Sequence, residues 1–129
     1  MRHWFVSAAA LSCAMALAVP ASAHHAANAQ FDVTKSVDMQ GKLSRFLDAN
    51  PHAYWYFNVT GPDGKTEEWS IESAAPNAWR RAGLRLKDDV KVGQTYNFKI
   101  APGLLPGKPI GLMRAVEVNG KWITLMGTN

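Results

Sequence analysis

From Val37 onward, apolar and polar residues alternate in short runs separated by Gly, Pro and Asn, the pattern of strands joined by tight turns. "VDMQGKLSRFL" puts Val37, Met39, Leu43 and Leu47 on one face at period two, with Gly41 where a bulge or sharp bend would sit. "AYWYFNVT" is dense in aromatic and β-branched residues. "GPDGK" is a turn, with Pro62 fixing φ and Gly64 accepting a positive φ, and "TEEWSIES" is the return strand. With Pro62, Asp63 and Gly64 as the loop, Phe57 faces Trp69 and Trp55 faces Ile71. Val59, Phe57, Trp55, Trp69 and Ile71 then share an apolar face, and Tyr54, Tyr56, Asn58, Glu68, Ser70 and Glu72 share a polar one. A slip of one residue destroys that agreement on both strands at once, so the pattern sets the register. Trp55, Phe57 and Trp69 are the expected core.

"APNAWRRAG" predicts a short helix, with Pro76 at its first position and Gly83 past its end. "LRLKDDVKVGQ" is a connection whose Leu84, Leu86 and Val90 cover the core. "TYNFKIA" alternates with Tyr96, Phe98 and Ile100 inward, and "PGLLPGKP" is a loop. "GLMRAVEV" and "KWITLM" form a hairpin about Asn119-Gly120, a strong two-residue turn signal. Three strands, a helix and two further strands, with a short last strand, is an all-β layout with one short helix. It predicts a small OB-like barrel of five to six strands. The alternative is another small β-barrel or a meander.

The first residues change where the fold begins. A basic start is followed by "FVSAAALSCAMALAV", then Pro20 and "ASA", the pattern of a secretory signal peptide cleaved after Ala23. The apolar run is short of the roughly 20 residues of a membrane span. Few apolar residues precede Cys13, which argues against lipid attachment there. Cleavage leaves 106 of 129 residues, one domain with a modest core. Residues 1–23 are thus the expected signal, 24–36 an Ala-rich and loosely held arm, and 37–129 the barrel. The single cysteine departs with the signal, which excludes disulfide and thiol chemistry in the mature chain. The formal charge of +4 falls to +3 when Arg2 is removed, too mild a balance for nucleic acid. The expectation is an exported protein, periplasmic or secreted, with no nucleic-acid partner and no membrane span after processing.

Candidate chemistry is sparse. No phosphate-binding glycine loop, G-x-S-x-G or H-E-x-x-H motif occurs. Glu67, Glu68 and Glu72 form a solvated face, and Arg80 and Arg81 are surface charges. No catalytic residue is placed, and the protein is not expected to be an enzyme. Histidine is the sharper signal. Cleavage makes His24 a new N-terminus, so an amine joins the imidazoles of His24 and His25. His52, in "NPHAYWYF", starts the second strand on the Tyr54/Tyr56 face with Glu72 as its diagonal neighbour. Imidazoles and a terminal amine suit a transition metal, with copper leading the affinity order. His24, His25, His52 and Glu72 are therefore the candidate metal ligands and copper the candidate cofactor. The plainer reading makes His52 a turn cap and His24-His25 a well-cleaved terminus. Tyr54 and Tyr56 are candidate ligand-stacking residues, with covering the barrel as the alternative.

The ordered stretches "AHH" (Ala23 to His25), Phe31-Asp32, "NPHAYWYF", "WSIE" (Trp69 to Glu72) and "PNAWRRAG" resemble a family of small exported bacterial proteins that remain a domain of unknown function. The resemblance covers most of the mature chain and implies an exported OB-like domain without an established activity. Two departures are Ala26-Ala27, where members often carry Ser-Phe, and Leu84, where they often carry Trp. The reading is a small exported binding protein. One form holds copper through the processed N-terminus. The other is a metal-free interaction module that holds a partner protein or small ligand through the Tyr54/Tyr56 face or the Leu104-Leu105 loop.

Overall fold

The computed structural model describes residues 29–125. The strands are β1 (Val37–Leu47), β2 (His52–Thr60), β3 (Thr66–Ala74), β4 (Thr95–Pro102), β5 (Ile110–Val118) and β6 (Lys121–Thr124). Between β3 and β4 lie helix α1 (Pro76–Arg81) and a single turn, α2 (Leu86–Asp89), inside the stretch read as a plain connection. The sheet order is β3-β2-β1-β4-β5-β6, and a parallel β3–β5 pairing closes it. A five-stranded barrel with a helix between its third and fourth strands is an OB-like fold, and β6 extends it. Among the described residues no helix is long and apolar enough to cross a membrane.

The β2–β3 hairpin has the register its pattern demands: Tyr54 pairs with Glu72, Trp55 with Ile71 and Phe57 with Trp69. Trp55, Phe57 and Ile71 are fully buried. Trp69 is not; it is half-buried at the margin of the core, near the loop end of the hairpin. Tyr96, Phe98 and Ile100 point inward as their alternation predicts, and Phe57 stacks on Phe98 with ring centroids 4.2 Å apart. Asn119 and Gly120 both take positive φ, 53° and 76°, in the β5–β6 turn.

β1 departs from its period-two pattern. Leu43 pairs with Phe57 and Arg45 with Tyr56, so Ser44 is an extra residue in β1. This bulge lies three residues past Gly41, and it turns Phe46 toward the core and Leu47 to solvent. Gly41 serves a close approach instead: a Cβ there would lie 3.0 Å from both Phe57 Cβ and Val59 Cγ2. Lys42 is the hinge of the strand, the residue at which pairing with β4 ends and pairing with β2 begins.

Helix α1 starts at Pro76 and ends in paired C-terminal bonds, Gly83 N–H to Arg80 O (3.1 Å) and Leu84 N–H to Trp79 O (2.9 Å). Arg80 and Arg81 are exposed. Trp79, by contrast, is wholly buried against Trp55, with centroids 5.6 Å apart. Its indole Nε1 and that of Trp55 both donate to Ser73 Oγ, at 3.1 and 2.9 Å.

Residues 24–28 of the arm lie outside the described residues; its described part, residues 29–36, is fastened to the barrel. Phe31 is buried and bridges Gly103; Asp32 N–H donates to Pro102 O (2.8 Å) and Leu104 N–H to Gln30 O (2.9 Å). The buried Arg114 donates to Val33 O from the bulged stretch of β5. Asp32 accepts from Thr34 Oγ1 (2.5 Å) and lies 3.0 Å from Lys35 Nζ. One buried aromatic ring and a run of backbone bonds are enough to hold a segment that has no periodicity.

Candidate functional site

His52 opens β2 opposite Ala74, and the alternation of the strands sends His52, Tyr54 and Tyr56 to the outer face with Ser70 and Glu72. The diagonal contact expected from the register is present: His52 Nδ1 lies 2.5 Å from Glu72 Oε1. Glu72 is therefore engaged with His52 rather than simply solvated, and its side chain is only 19% exposed against 48% for His52. A neutral ring that donates from Nδ1 to this carboxylate leaves Nε2 as its lone-pair nitrogen. A carboxylate on one imidazole nitrogen orients the ring and raises the basicity of the other, the arrangement found behind metal-binding histidines. Tyr54 pairs with Glu72; partial burial, then the Glu72 charge and neighbouring Tyr56, push its phenol pKa up, so it stays neutral at physiological pH.

Tyr56 has a different environment. The Arg45 guanidinium sits 3.9 Å from its ring centroid and bonds Glu68 Oε1 at 2.8 Å. Ser44 Oγ lies 2.9 Å from both Glu68 Oε2 and the Tyr56 carbonyl oxygen. The ring surface read as a stacking platform thus already carries an arginine, held there by the bulge that the β1 pattern did not show. Arg45 first, then Ser44, hold the Glu68 carboxyl below its usual range.

The structure brings together His52, Glu72 and Tyr54. His24 and His25 lie outside the described residues. Among the described residues no group of three or more His, Cys, Asp or Glu side chains is placed to hold a metal ion. Glu72, read as a candidate metal ligand, faces His52.

Two surface carboxylates add to the acid response of this architecture. Thr34, then Lys35, hold Asp32 below its usual range, as Arg45 and Ser44 hold Glu68. A lowered folded-state pKa adds stability above the unfolded value of about 4, and that stability is lost as pH falls through the folded value. Urea midpoints measured at neutral pH and near pH 3.5 should fall less in Asp32→Asn and Glu68→Gln than in the parent. Equal losses in all three would remove these two groups from the acid response.

No curated protein matches the chain. Among solved structures, it is similar to the mitochondrial single-stranded DNA binding protein Rim1 of S. cerevisiae. The identity is 11% over 66% of this chain and 94% of that one, with a TM-score of 0.49. Residues 11–112 match the family described as Family of unknown function (DUF6152), and with most of its length inside that match the protein belongs to this family.

Proposed function

We propose that the protein is an exported, non-enzymatic binding module that holds Cu(II) with the amine that cleavage before His24 creates and the imidazoles of His24 and His25, completed by His52. The observation that carries this reading is the His52–Glu72 contact of 2.5 Å, which leaves Nε2 as the donor of an oriented, half-exposed imidazole. Phe31 fixes where the tether starts. From its bridge to Gly103, the path runs across β5 and β3 to β2, four strand spacings or about 19 Å. The six residues from His25 to Phe31 span about 20 Å when extended. Tether and lateral path are thus of similar length, before the four residues by which His52, opposite Ala74, is offset along β3 from Ser70, opposite Ile110, and a short span lowers the entropy lost on ordering it.

Copper titration of protein beginning at His24 is the test. The amine has a reference pKa of about 7.7–8.0 and imidazole about 6.5, so affinity should fall as pH drops from about 8 to 6. His52→Ala and one extra residue before His24 should each weaken binding by about tenfold or more, and Glu72→Gln by about 10–100-fold. Equal affinity in every sample would refute the site. The metal-free reading would then stand on the Leu104-Leu105 loop, whose side chains are 48% and 64% exposed.

A further inference from the structure

A second outer face, formed by β1, β4, β5 and β6, carries a different set of groups. Cross-strand pairing aligns Gln40 with Asn97 and Glu117 with Trp122, and Asn97 Nδ2 joins the two pairs by donating to Glu117 Oε2 at 2.8 Å. Gln40 Nε2 donates to Asn97 Oδ1 at 2.9 Å. In the next row Lys99 Nζ lies 2.5 Å from Asp38 Oδ1 and 5.3 Å from the Trp122 ring centroid. A shallow depression of about 390 Å³ is bordered by Asp38, Met39, Gln40, Asn97, Lys99 and Trp122. That volume falls within the usual range of small-ligand sites, about 300–1,000 Å³.

A single exposed tryptophan needs no explanation by itself. Its company does. One face of a pyranose ring presents C–H groups, which lie well on the negative face of an indole. Its rim presents hydroxyls, each of which both donates and accepts, so a partner surface needs both kinds of group in fixed positions. After the bonds above, Gln40 keeps its carbonyl oxygen and one N–H, Asn97 one N–H, Glu117 Oε1, and Lys99 two N–H groups. The bonds between these side chains hold them in place before a ligand arrives, which reduces the ordering cost of binding. Asp38 and Lys99 neutralise each other inside the depression, which leaves it no unopposed cation to favour a uronate, sulfate or phosphate.

We propose that this face is a carbohydrate site for a neutral pyranose oligosaccharide, with the face of Trp122 turned away from the Lys99 ammonium as the stacking surface and Gln40, Asn97 and Lys99 as the hydrogen-bonding groups. It stands apart from the outward face of β2 and β3 that bears His52, and does not depend on the copper reading.

Amide proton–nitrogen correlation spectra of the protein beginning at His24 test it, by titration with chitotetraose, cellotetraose and maltotetraose, and with an acidic heparin tetrasaccharide for comparison. At least one neutral tetrasaccharide should give saturable shifts centred on residues 38–40, 97–99 and 121–123. Trp122→Ala should weaken that binding about tenfold or more, and Asn97→Ala about threefold or more, while spectra elsewhere stay folded. Both side chains are on the surface, so the variants remain usable. The proposal is overturned if no neutral tetrasaccharide shifts this face at about 5 mM, or if Trp122→Ala binds like the parent. Tighter binding of the acidic sugar would overturn it too. So would shifts that follow protein concentration without sugar, which would make the face a contact between copies.

Discussion

Trp55→Ala is expected to lower the unfolding free energy by about 3–5 kcal/mol, and Trp69→Ala by less than half as much. Both residues sit on the inward face of the β2–β3 hairpin, and a pattern of alternation alone would rank them equally. Trp55 is fully buried and touches Phe46, Phe57 and Trp79, with ring centroids 5.0, 6.1 and 5.6 Å away. Its removal opens a cavity at the point where β1, β2 and α1 meet. Trp69 pairs with Phe57 nearer the hairpin turn and is partly open to solvent, so less apolar surface is lost and water can fill the gap. Urea denaturation of the two variants under one set of conditions decides the matter. Equal costs would mean that the margin around Trp69 is as closed as the centre.

That difference shows what alternation can and cannot disclose. Register in a hairpin is a local property, because the turn and two facing patterns must agree; Tyr54 opposite Glu72, and hence the His52–Glu72 contact, was legible from "NPHAYWYFNVTGPDGKTEEWSIES" alone. Depth is a global property. Whether an inward residue lies at the middle or the rim of a barrel depends on strands far away in sequence. β1 failed for a related reason. Ser44 has nothing in its side chain that announces a bulge, yet one extra residue sends Phe46 in, Leu47 out and Arg45 onto Tyr56. Trp79 was hidden because a helix of six residues makes under two turns, too few for a periodicity to show. Phe31 and Arg114 were hidden because the arm is held mainly by backbone atoms, which every residue has. The face bearing Trp122 was half-visible: the outward alternation of "TYNFKIA" yields Asn97 and Lys99, but only the closed sheet sets Gln40 and Trp122 beside them.

Ser73→Ala should cost about 2–4 kcal/mol, far more than the removal of one hydroxyl from a surface strand. Ser73 is 1% exposed, and its Oγ accepts from Trp55 Nε1 (2.9 Å) and Trp79 Nε1 (3.1 Å). Its own proton has two carbonyl acceptors at 3.3 Å, Ala53 O and Ala74 O. One small side chain on β3 thus satisfies an indole on β2 and another on α1. Alanine in its place leaves two indole N–H groups buried with no acceptor, and each carries a desolvation cost of about 1–3 kcal/mol. The methyl group restores none of this. A double-mutant cycle with Trp79→Phe separates hydrogen bonding from packing. In the Trp79→Phe background one of the two donors is already gone, so Ser73→Ala should cost about 1 kcal/mol less than in the parent. Near-zero coupling, or a cost for Ser73→Ala below about 1 kcal/mol in the parent, would show that the two indoles are held by packing and that the shared oxygen is incidental.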